Sequence, residues 1–87
     1  MFNPRRITEA LRKNPFETLE LKFTDGTIER IEHPDNAVVF ASEIGIAQYE
    51  KGEDQIAERL KMYALVHLIS VDTIPRQADS RRNQNDN

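Results

Sequence analysis

Two histidines, a cluster of four cations and a scatter of carboxylates are the side chains in this 87-residue sequence whose type and spacing suggest chemistry. His67 sits in "ALVHLISVDTIPR", the most apolar run, between Val66 and Leu68. An imidazole there could stack on a nucleobase and hydrogen-bond its edge. The other reading is a histidine at the turn before a last strand, bonded to a backbone carbonyl. His33 stands in "EHPDN" beside Glu32 and Asp35, a nitrogen and two oxygen donors of the kind that hold a divalent cation. Donors so close together at a strand end do not readily converge on one ion, and Asp35 and Asn36 are ordinary turn formers, so no metal site is expected. Arg5, Arg6, Arg12 and Lys13 suit a few phosphate contacts, or else the charged face of a surface helix.

Catalysis finds little to stand on. Ser42, Ser70 and Ser80 lie in no nucleophile-elbow pattern, and neither histidine has an evident acid partner. Gly26, Gly45 and Gly52 are too scattered for a phosphate-cradling loop. The reading is a protein that is not an enzyme and takes no cofactor.

Composition bounds what can position these groups. A single domain of this size buries only roughly 60 to 65% of its unfolded surface. With 38% hydrophobic residues and no cysteine, no disulfide can compensate for a meagre core, so a homo-oligomer is expected. No run approaches the roughly 20 apolar residues that span a bilayer, and "MFNPRR" is followed by no signal-like apolar core, so the expected setting is cytoplasmic with no membrane partner. The net charge of −3 is unevenly spread. Residues 1–13 carry +3, residues 14–60 carry −7 and residues 61–87 carry +1. Any nucleic acid would therefore be held by the basic ends, because the acidic middle repels phosphate.

The elements follow from patterning. Asn3 can cap a helix that opens at Pro4, and Ile7, Ala10 and Leu11 recur at helical spacing, which predicts a helix over about 4–13 that Pro15 stops. Leu19, Leu21 and Phe23 alternate with Glu20 and Lys22 as a half-buried strand. Asp25-Gly26 reads as a two-residue type I′ turn into a second strand over 27–33. Ile28 and Ile31 are three apart, so either a bulge near Glu29 and Arg30 restores the register or one isoleucine faces out, and the bulge is expected. A third strand is expected at 37–41, with a further extended piece over 45–49 that continues or pairs with it, and "EKGEDQ" reads as a hairpin tip. Leu60, Met62, Ala64, Val66 and Leu68 alternate with Arg59, Lys61, Tyr63 and His67. The residue types also suit a helix, but the alternation favours a strand over 56–63, a turn over 64–68 and a last strand over 69–74. Tyr63 falls on the polar side, and residues 76–87 read as a disordered polar tail.

One helix and about five hairpin-linked strands predict a small SH3-like or Sm-like five-stranded antiparallel barrel occupying residues 1–75. On that frame the chain resembles the Sm-like (Hfq-like) bacterial RNA chaperones. "EALRKNPFETLELKFTDG" is similar to their helix, first strand and turn, and "LVHLIS" to their histidine stretch, with His67, Ile69 and Ser70 on matching positions. Val66 stands where that family carries a lysine, and the segment from Asp35 to His67 is longer than the family's. A looser resemblance joins "DGTIERIEHP" and "LVHLISVDTI" to a group of short bacterial proteins with a DG…HP hairpin. The first resemblance implies a self-associating ring that binds RNA weakly through Arg12, Lys13 and His67, with Arg5 and Arg6 alongside. The alternative is a protein-interaction or structural module without nucleic acid, whose interface would be Val38, Phe40, Ile44, Ile46 and Tyr49.

Overall fold

A computed structural model describes residues 2–49 and 57–75 of the chain. The expected polar tail over 76–87 and the "EKGEDQ" tip lie outside them.

Helix α1 spans Pro4–Arg12. Asn3 is its N-cap: the Asn3 side-chain oxygen accepts the Arg5 N–H at 2.9 Å, satisfying one of the donors a helix start leaves over. Lys13 is extended, so the helix ends there. Its inward stripe is Ile7, which is fully buried, with Ala10 and Leu11 half-buried beside it. Burial of an isoleucine contributes about 2 kcal/mol.

Six strands follow: β1 Thr18–Phe23, β2 Ile28–Ile31, β3 Ala37–Val39, β4 Glu43–Tyr49, β5 Ala57–Ala64 and β6 Leu68–Ile74. They form two antiparallel sheets, ordered β2-β1-β6 and β3-β4-β5. Two 3-10 turns, Pro34–Asn36 and Leu65–His67, carry the chain from one sheet to the other. The inner faces of both sheets enclose one core with α1: Leu19, Leu21, Phe23 and Ile31 from the first, Ile44 and Ile46 from the second, with Leu65 and Leu68 at the second corner.

The five-stranded SH3-like or Sm-like barrel therefore does not form. The segment over 43–49 is a strand of its own, paired with β3 from Ala37↔Ile46 to Val39↔Ile44. No ladder joins β2 to β3 or β5 to β6, because each junction is a 3-10 corner that breaks the hydrogen-bonding line, and β2 and β3 are too short to bend across both sheets. Two further local expectations give way. The β1–β2 register runs without interruption from Leu19↔Ile31 to Lys22↔Ile28, so no bulge brings Ile28 inward; Ile31 is 0% exposed and Ile28 is 55% exposed. The hairpin loop holds three residues rather than two. The Gly26 N–H donates to the Phe23 C=O and the Phe23 N–H to the Thr27 C=O, each at 2.9 Å, and Gly26 alone takes a positive φ, +91°. That is a type I turn closed by a glycine bulge.

The second half matches the strand reading closely, with the corner at Leu65–His67 where the turn was placed. Between Lys22↔Ser70 and Phe23↔Leu68 the register shifts by one, so Ile69 is squeezed outward and Leu68 turns into the core.

Candidate functional site

The face of a strand that looks outward is set by pairing register, and in β5 it is the apolar one. Directly paired residues share a face. Tyr63 pairs with Ile44 and Lys61 with Ile46, so the side of β5 bearing Arg59, Lys61 and Tyr63 continues the core face of β4. Met62 pairs with Gly45 and Leu60 with Ala47, so these apolar residues lie on the opposite, outward face. Val38, across from Gly45, joins them.

This outer face is apolar and unfilled. Leu60 is 47% exposed, Met62 42%, Val38 45% and the neighbouring Phe40 49%. Gly45 lies under it with no room to spare: a Cβ there would come 2.8 Å from Met62 Sδ and 3.0 Å from Leu60 Cδ2. The missing side chain lets Leu60 and Met62 lean across β4 and form one continuous apolar surface. Of the charged residues on β4 and β5, Glu43 and Glu58 share this face, at its two ends, and no lysine or arginine of these strands does.

The five residues read as an interface divide. Val38, Phe40 and Tyr49 are exposed, and the Tyr49 hydroxyl donates to Asn36 Oδ1 at 2.7 Å. Ile44 and Ile46 are buried on the inner side of β4 and serve the core instead. Their places on the outer surface are taken by Leu60 and Met62, which alternation marked as an apolar side but could not mark as outward.

At the inner margin of the two sheets, Tyr63 stacks on Phe23 and donates its hydroxyl proton to the Glu29 carboxylate. Lys61 Nζ lies 5.3 Å from the Tyr63 ring centroid. Burial first, and then the Glu29 carboxylate, raise the Tyr63 hydroxyl above its ordinary pKa. The neighbouring Tyr63 hydroxyl raises the pKa of Lys61. These groups are 34 residues apart in the chain, so nothing in the sequence could have joined them. The cluster ties the two sheets together.

His67 closes the nearby corner. Its carbonyl accepts the Thr24 N–H at 2.8 Å, and its exposed ring places Nδ1 3.3 Å from Thr24 Oγ1. The ring thus fastens the β1–β2 turn to the β5–β6 corner, a structural part close to the alternative reading but with a hydroxyl as its partner. His33, exposed, lines a polar cavity with Arg30, Glu32, Asn36 and Tyr49. Among the described residues no three His, Asp or Glu side chains gather as metal ligands.

The four cations lie on α1 or at its end, and His67 lies at the β5–β6 corner. Lys13 is paired with Glu17 at 2.9 Å near the end of α1, with Arg12 beside it. Arg6, near the start of α1, lines two cavities beside β6. No described helix is long and apolar enough to cross a membrane. Comparison with protein-family models, with curated proteins and with solved structures finds no match for this chain.

Proposed function

We propose that the protein is a non-enzymatic interaction module that pairs with a second copy of itself through the outer face of β3, β4 and β5. The observation that carries this reading is the orientation of β5, which sets Leu60 and Met62, both exposed, on the side of the sheet opposite its core face. An amphipathic strand placed that way loses the burial of its apolar side unless something covers it, and contiguous apolar surface on a small domain marks a contact site. A second copy suits the face. A two-fold contact lays each apolar stripe on its twin, leaves the carboxylates of Glu43 and Glu58 toward the rim, and asks no cation of the partner. Flexible Met and Leu side chains adapt to such a flat match. The small core of the isolated chain supplies the energetic reason, because association buries apolar area that a domain of this size lacks internally.

Light scattering after size exclusion tests it. The expected mass is twice the 10.1 kDa of one chain, falling to that of one chain in Leu60→Lys/Met62→Lys with an unchanged circular dichroism spectrum. A monomeric wild type at all concentrations, or a variant that associates as strongly, overturns the reading.

A further inference from the structure

Among the described residues the two sheets have four edges, and three of them are guarded. β3 is three residues long, too short to template a partner. β5 sets Arg59 and Lys61 along its length, the cationic device by which natural edges resist pairing. β2 has four residues and carries Arg30, held by Glu20 at 3.1 Å. The remaining edge, β6, is seven residues long, in regular register with β1 from Ser70 to Ile74, and rich in β-branched residues. Its one charged residue, Asp72, pairs with Glu20 on the face away from Val71 and Thr73, and it contains no lysine, arginine or proline before Pro75. Among the described residues no strand pairs with its outer side, since β6 ends its sheet.

Beside this edge lies a groove walled by α1. Phe2, Arg6, Ile7 and Ala10 face Val71 and Thr73 across about 440 Å³ of space open to solvent. A second hollow of about 650 Å³ continues it past Phe2 and Arg6 to Leu68 and Ile69. Arg6 lines both, and neither is lined by an acid.

We infer that β6 and α1 form a docking groove for an extended segment of a partner protein, added to the sheet as a strand antiparallel or parallel to β6. Main-chain hydrogen bonds to the free edge supply register-independent affinity, and side chains at alternate positions of the added strand point under α1. There a small apolar residue meets Ala10 and Val71, and a carboxylate meets the Arg6 guanidinium, whose forked donors match it. The occupant is thus an acidic, β-branched segment. This site is separate from the outer face of β3, β4 and β5 and stands whether or not that face pairs.

The test uses the full chain carrying Leu60→Lys/Met62→Lys, so that association through the other face does not interfere. The probe is an acetylated peptide with valine, glutamate and valine at alternate positions and threonine between them, titrated into ¹⁵N-labelled protein. Amide shifts are expected in residues 69–74 and along the first two turns of α1. Replacing glutamate by lysine in the peptide weakens binding by about tenfold, and so does Arg6→Glu in the protein. The two changes together restore binding. Absence of shifts at millimolar peptide, shifts centred on β5, or indifference to the charge exchange overturns the inference.

Discussion

Phe23 of β1 and Tyr63 of β5 stack across the junction of the two sheets, with ring centroids 4.3 Å apart and planes 18° from parallel. Among the described residues no ladder joins these sheets, and the aromatic pair, the Glu29 carboxylate that accepts the Tyr63 hydroxyl, and the corner at Leu65–His67 hold them at this end.

Tyr63→Phe keeps the stack and removes the donor, leaving Glu29 without its partner. The expected cost is about 1 kcal/mol by urea unfolding, and Tyr63→Ala adds about another 1 kcal/mol from the lost stack. The hydroxyl also fixes a pH dependence. Its folded pKa is raised by burial, so the neutral phenol favours the fold. That stability is complete below the ordinary tyrosine value near 10 and is lost as pH rises through the folded value. Urea midpoints compared at about pH 8 and about pH 11 should fall less in Tyr63→Phe than in wild type; an equal fall would remove Tyr63 as the cause.

The uninterrupted β1–β2 register separates two isoleucines that the sequence presents alike. Ile31→Ala empties a fully buried site and should cost about 2 to 5 kcal/mol, whereas Ile28→Ala, at 55% exposure, should cost less than about 1 kcal/mol. Comparable losses in chemical denaturation would mean that a bulge does turn Ile28 inward.

Gly26 makes a third case, because nothing lies within 4 Å of the Cβ it lacks, while its φ is +91°. Gly26→Ala therefore meets only backbone strain, about 1 kcal/mol, with no steric clash. Thermal unfolding should show a modest drop and an unchanged fold. The adjacent Asp25 is held below its ordinary pKa chiefly by the Thr27 N–H, so this turn is firmest above the usual carboxylate range and loosens as pH falls through the lowered value.

Much of the architecture was legible from local pattern alone. Asn3 and Pro4 announce the helix start, Asp25-Gly26 the first hairpin, and the alternation of Leu60 to Leu68 a strand where the residue types also suited a helix. Each of these signals acts over a few residues and needs no distant partner. The candidate surface was half legible: Val38, Phe40 and Tyr49 could be picked as apolar or aromatic residues on predicted strands, but Ile44 and Ile46 look the same in sequence and are buried. Glu29 with Tyr63, and Arg6 beside Val71, depend on contacts between segments far apart in the chain.

By itself, then, the sequence determined the helix, the approximate place of most strands and the corner at Leu65–His67, because backbone preferences and capping bonds are local. Tertiary structure alone decided that the strands part into two sheets rather than close a barrel, and which side of β5 continues the core face of β4. Those outcomes rest on inter-strand register, and shifting it by one residue exchanges every inward side chain for an outward one.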